Sequence, residues 1–195
     1  MLEYLDSQNL ATISPLIIYS VLFVVSFLEG MPIIGSIFAG GAIVIGIGTL
    51  AAVGIINPIL GIIIAALGSW FGDLVGFFIL RHYGHRIPFL KKLIVNIREH
   101  KGRFSDTFDR HYFLITVISR VIPFVRSTSS LIGSVRAIPE WKHIPASLIA
   151  SIVWSITVIF TGYGLLKIIS IKYIIAIVVI FFIISTAVGI IRYKK

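Results

Sequence analysis

Apolar positions run along this chain in long blocks, interrupted at a few points by proline, glycine or charge. Residues 10–28 form the first run, which ends at Glu29 and is followed at once by Gly30, Met31 and Pro32. Proline donates no backbone hydrogen bond and disfavours helix in the residue before it, so Gly30 and Pro32 predict a structural break. Residues 33–56 are apolar again but hold six glycines. Together, 10–56 reads as broken, re-entrant backbone, which bilayer depth tolerates only against protein or a wet cavity.

Asn57–Pro58 marks a turn, and 59–80 gives 22 near-continuous apolar positions, long enough to cross the hydrocarbon. Gly61, Gly68, Gly72 and Gly76 line one face of that helix at spacings of seven, four and four, a small-residue face for close packing. Residues 81–110 form a basic loop, with a short surface helix expected around 88–101. Leu90, Leu93, Ile94 and Ile97 share one face of it. Residues 112–135 predict a second re-entrant region. An apolar entry leads into SRVIPFVRSTSS, with breaks expected at Pro123 and Gly133. Helices over 143–165 and 173–191 complete a single membrane domain over 1–195.

Charge orients these segments. Residues 81–110 carry eight Lys/Arg against three Asp/Glu, and the chain closes on Arg192, Lys194 and Lys195. Basic loops stay on the cytoplasmic side, which puts 81–110 and the C-terminus inside. The two re-entrant regions then enter from opposite faces, as in transporters built from inverted repeats with binding at the midplane. The fold expected is therefore an all-α, multi-pass membrane protein: two opposed re-entrant broken helices plus transmembrane helices, inverted-repeat-like. Composition agrees: 57% hydrophobic and 13% charged, with a soluble domain nearer a quarter charged. The net charge of +9 sits in membrane-flanking loops, so it points to anionic lipid, and no nucleic acid is expected. The N-terminus lacks a signal peptide's basic patch, so the first apolar segment is expected to be retained.

Four ionisable residues stand within, or at the broken edge of, apolar chain: Glu29, Asp73, Arg120 and Arg126. A charge at bilayer depth costs roughly 2.5–3.5 kcal/mol on insertion scales and usually lines a protein-enclosed path. Arg120 and Arg126 flank Pro123, and a guanidinium matches phosphate or carboxylate with a planar fork of donors. They are the candidate phosphate-binding pair, with Ser127 and Thr128 supplying hydroxyls or satisfying broken backbone. Internal pairing with Asp73 and Glu29 is the structural alternative. Glu29 and Asp73 are the candidate proton-coupling groups, since burial and a nearby arginine act oppositely on a carboxylate; the alternative for Glu29 is capping exposed N–H groups. Arg136 reads as a positive-inside charge. His82, His85, His100 and His111 show no metal-ligand spacing, no catalytic signature occurs, and no metal, cofactor or enzymatic activity is expected.

These residues resemble the DedA family, also called the SNARE-associated or VTT-domain family, over roughly 15–191. The resemblance lies in Glu29-Gly-Met-Pro32 with Gly35, in Gly68-Ser-Trp-Phe-Gly-Asp73-Leu-Val-Gly76, and in Ser119-Arg120-Val-Ile-Pro123-Phe-Val-Arg126. Gly133, Trp154 and Gly162-Tyr-Gly164 fall at further family-like positions. The first motif here carries one proline and no second acid, and Ile132–Gly133 replaces a common Ala-Gly. The resemblance implies an inner-membrane protein with two opposed re-entrant helices. It also implies translocation of a phosphate-bearing lipid such as undecaprenyl phosphate, with Glu29, Asp73, Arg120 and Arg126 at the functional positions. Partners are membrane lipids with an anionic phosphate headgroup and protons, and a homo-oligomer is allowed. The competing functions are a broad phospholipid scramblase, a proton-coupled small-solute carrier and a non-transporting membrane scaffold.

Overall fold

The computed structural model describes residues 14–37, 41–86, 103–121 and 126–165, and these are helical with no strand among them. The expected surface helix around 88–101, the break at Pro123 and the helix at 173–191 lie outside the described residues. Helix α1 runs Pro15–Gly30 with proline in its first turn, where the missing N–H is no loss. Met31 turns extended, and a four-residue helix α2, Ile34–Ile37, follows Pro32. Helix α3 covers Gly41–Ala52.

Helix α4, Pro58–Tyr83, is 26 residues long, about 39 Å at 1.5 Å per residue. Asn57 starts it by accepting hydrogen bonds from the Ile59 and Leu60 backbone N–H groups at 2.9 and 3.2 Å. A 3-10 turn, Gly84–Arg86, extends its end. Helix α5, Arg103–Arg110, leads at His111 into α6, Tyr112–Val121. Helix α7 is Arg126–Val135, and α8, Glu140–Leu165, is again 26 residues long. Both α4 and α8 are long and apolar enough to cross a membrane.

The two long helices pack on each other at the centre. Each stretch expected to be re-entrant lays one helix on α4 and another on α8: α1 and α7 against α4, α3 and α6 against α8. Glycines set the closest of these contacts. A Cβ on Gly72 would strike the Phe27 backbone, and one on Gly48 would come 2.6 Å from the Ile159 carbonyl oxygen. Gly133 was expected at a break, but it lies inside α7. Its missing side chain makes room for an aromatic ring instead: an added Cβ would sit 2.5 Å from the Tyr112 hydroxyl.

Polarity is distributed the opposite way to a soluble domain. Ile59, Ile63, Leu67, Phe71, Val75 and Ile79, four residues apart, form an exposed apolar stripe along α4. Ile149, Ile152, Ile156 and Phe160 do the same on α8, and Leu114 and Ile118 on α6. Meanwhile Asp73, Arg120, His143, Ser147, Ser151 and Ser155 are buried. Soluble monomers rarely expose apolar surface so continuously, whereas lipid requires it. An apolar core does exist, with Leu22, Val44, Ala65 and Ile159 meeting where α1, α3, α4 and α8 join.

Candidate functional site

A cluster of charged and polar side chains occupies the junction of α4, α6 and α8. Asp73 stands mid-way along α4 and is fully buried. Arg120, next to last in α6, points its Nη1 at Asp73 Oδ1 from 3.4 Å. Its Nη2 donates to Ser151 Oγ at 3.0 Å, and its buried Nε has no hydrogen-bond partner among the described residues. An arginine held at two of its three nitrogens keeps a donor in reserve, and an unmade buried hydrogen bond costs about 1–3 kcal/mol.

The second Asp73 oxygen faces a histidine. His143 Nε2 lies 3.2 Å from Asp73 Oδ2, close but out of line for a good hydrogen bond. On the other side of the ring, Nδ1 meets the Tyr112 hydroxyl at 2.6 Å. The imidazole also lies flat on the Phe77 ring, with centroids 3.8 Å apart at 11°. The Arg81 guanidinium stands 5.8 Å from the centre of that same phenyl ring. His143 is thus fixed on three sides, by carboxylate, phenol and phenyl. Tyr112 in turn lines an open cavity of about 400 Å³ with Arg110, Phe113, Trp141 and Lys142, so the buried cluster is one side chain away from an outward-facing cleft.

Hydroxyls complete the surroundings. Ser119 donates to Ser129 at 3.0 Å and so ties α6 to α7. Ser130 is buried beside the Asp73 carboxylate. The Ser155 hydroxyl turns back to the Ser151 carbonyl at 2.8 Å, one turn along α8.

Of the residues singled out from sequence, Asp73 and Arg120 come together. Glu29 is buried at the end of α1, and a Cβ on Gly41 would come within 3.1 Å of its Oε1. That places the carboxylate at the first residue of α3, where unpaired N–H groups and the helix dipole favour negative charge. Gly30 ends α1 and Pro32 follows it, packed against Gly76 of α4. Arg126, Ser127 and Thr128 open α7, and their side chains lie outside the described residues. Arg136 pairs with Asp109 at 3.0 Å. Among the described residues, no group of three His, Cys, Asp or Glu is placed to hold a metal ion.

His143 and Tyr112 escaped the sequence reading. The signal lay in a period: His143, Ser147, Ser151 and Ser155 recur every four residues along an otherwise apolar helix. Such spacing aligns them on one face, and all four are buried.

The family model described as the VTT domain matches residues 43–164. Inner membrane protein YghB of Escherichia coli K12 is 26% identical over 153 residues, which is 76% of this chain and 68% of that protein. YghB of Escherichia coli O6:H1 strain CFT073 matches to the same extent. No solved structure matches the chain.

Proposed function

Because this chain belongs to the VTT-domain family of membrane proteins, we propose that it is a transporter carrying a phosphate-bearing lipid across the bilayer. A polyprenyl phosphate such as undecaprenyl phosphate is the substrate class, and protons couple the movement. The YghB relatives carry the name of inner membrane proteins, and the same membrane is proposed here, with 81–110 and the C-terminus on the cytoplasmic face.

The observation that carries this reading is the buried Arg120, shared between Asp73 and Ser151 with Nε unspent. A permanent cation in so apolar a protein is costly unless it meets an anion. Asp73 meets that need at rest. A phosphate oxyanion meets it equally well, with a geometry that suits the guanidinium fork. In the proposed cycle a lipid phosphate displaces the carboxylate from Arg120 while the prenyl chain stays against the exposed apolar faces of α6 and α8. Arg126, Ser127 and Thr128, at the start of α7, hold the remaining phosphate oxygens. Glu29 and Asp73 exchange protons as the headgroup passes. The two broken stretches, each with one arm on α4 and one on α8, act as the opposed re-entrant halves between which the headgroup passes.

The test is headgroup flipping in liposomes made with purified protein and fluorescent polyprenyl phosphate. Arg120→Ala and Arg126→Ala are each expected to slow flipping at least about a hundredfold, the loss of a charge-assisted bidentate contact. Flipping at the native rate by both variants refutes the proposal.

A further inference from the structure

The Asp73 carboxylate is divided between two bases of different kind, and only one of them titrates near neutrality. An arginine side chain keeps its charge across the physiological range, whereas a histidine ordinarily changes charge between about pH 5 and 8. A carboxylate only accepts, and the 3.2 Å approach of His143 Nε2 to Asp73 Oδ2, though out of line for a full hydrogen bond, favours the tautomer with the proton on Nε2. In neutral histidine Nδ1 is then an acceptor, and the Tyr112 hydroxyl donates to it across 2.6 Å. Arg120, Asp73 and neutral His143 sum to zero charge. Protonated His143 makes the same buried cluster +1.

The surroundings provide for that second state. Once Nδ1 carries a proton it donates to Tyr112, whose own O–H needs a new acceptor. Thr116, one turn along α6, has its buried hydroxyl beside the phenol, where it can accept that proton. The open cleft lined by Tyr112 lies at this end of the chain of groups. The charged and titratable groups around His143 number few. From α4 come Asp73 and, across Phe77, Arg81, itself 4.0 Å from Glu140. From α6 come Tyr112 and, beyond the carboxylate, Arg120. Helix α3 brings no titratable residue. On α8, Lys142 lies over the Trp141 ring.

Resting on the lipid-phosphate reading above, we infer that His143 is the proton-loading group of this site: one proton on its imidazole and one phosphate-class anion on Arg120 bind together, with Tyr112 and Thr116 positioning the imidazole in both states. A buried cluster of net charge +1 attracts an anion that a neutral cluster does not, and linkage makes the effect reciprocal. The anion strengthens proton binding by the same factor as the proton strengthens anion binding.

The experiment follows the imidazole nitrogens of the full-length protein by NMR, with 15N-labelled histidine in detergent. The His143 resonance is the one missing in His143→Gln. The probe is dihexanoyl phosphatidylglycerol, a phosphodiester whose own charge is constant across the titration. Saturating lipid is expected to raise the protonation midpoint of His143 by about one pH unit, equivalent to about tenfold tighter lipid binding to the protonated form. Tyr112→Phe keeps the ring and removes the relay, and is expected to shrink that shift. Lipid that binds and leaves the His143 midpoint unmoved overturns this inference alone. Lipid that binds Arg120→Ala as tightly as the native chain overturns the lipid-phosphate reading and this inference with it. The same shift produced by inorganic sulfate upholds the proton–anion linkage and assigns the site to a free anion.

Discussion

The two broken stretches of the chain solve the same problem by different means. In α1–α3 the closest contacts are made at glycines: Gly72 of α4 takes the Phe27 peptide, Gly76 takes the Pro32 ring, and Gly48 of α3 lies against Gly162 of α8. In α6–α7 the contacts are side-chain hydrogen bonds: Arg120 to Asp73 and Ser151, Ser119 to Ser129, Tyr112 to His143. Glycine contacts leave no room for water or rearrangement, because a close-packed interface has no second arrangement to move into. Hydrogen bonds can be exchanged for others of similar energy. On the proposed reading, the first stretch is the frame of the molecule and the second the part that exchanges partners.

That contrast breaks most visibly at Gly72. Gly72→Val places branched carbon where the Phe27 backbone lies, and neither helix can yield without losing its neighbours. The expected loss is more than about 3 kcal/mol, enough to prevent recovery of folded protein. Thermal aggregation of the detergent-solubilised protein measures it. A variant that melts with the native chain would mean that α1 and α4 slide freely, and the frame would lose its distinction from the site.

The next effect lies in the polar stretch. Asp73→Asn leaves the buried Arg120 guanidinium without its counter-charge, held by the Ser151 hydroxyl, and is expected to cost roughly 2.5–3.5 kcal/mol, the range for a charge at helix centre. Replacing both members of a buried pair by apolar side chains of similar size is often neutral. Asp73→Leu with Arg120→Met is accordingly expected to melt near the native temperature and to flip no lipid. This separates stability from transport, since the pair is dispensable for one and required for the other. Ser151→Ala sharpens the point at smaller scale. It removes one hydroxyl from the Nη2 of Arg120, for about 1 kcal/mol in stability, and should slow flipping more than about tenfold.

The same contrast explains what the sequence made legible. Helices α4 and α8 stand out because each is a long apolar run, and Asn57–Pro58 marks where α4 starts. The gap between α1 and α2 follows from Pro32, a local constraint that needs no knowledge of neighbours. Asp73 and Arg120 draw attention as charges in apolar chain, yet 47 residues separate them and nothing local says that they pair. Gly133 shows the limit from the other side. A glycine near the end of a segment reads as a break, but the ring that needs its missing Cβ, Tyr112, comes from another helix. His143 was hidden by a boundary: as the first residue of an expected span it looked like a flank, whereas α8 begins three residues earlier, at Glu140, and turns it inward.

The smallest effect concerns how the second stretch ends. Helix α7 closes with the Ile138 N–H on the Gly133 carbonyl at 2.9 Å and the Ala137 N–H on the Ser134 carbonyl at 3.3 Å. This is the two-bond closure that sets the residue after a helix in the left-handed region, and Ala137 has φ of 55°. Glycine adopts that conformation freely, while alanine pays roughly 1–2 kcal/mol for it. Ala137→Gly relieves the strain but also loosens the unfolded chain, so a net gain of about 0.5–1 kcal/mol is expected in thermal melting. Ala137 touches neither Arg120 nor His143 in any hydrogen bond or ion pair described, so flipping should stay at the native rate. A stabilised variant with slowed flipping would mean that the end of α7 must open during transport. The exchangeable part of the molecule would then reach past the hydrogen-bonded cluster to the turn between α7 and α8.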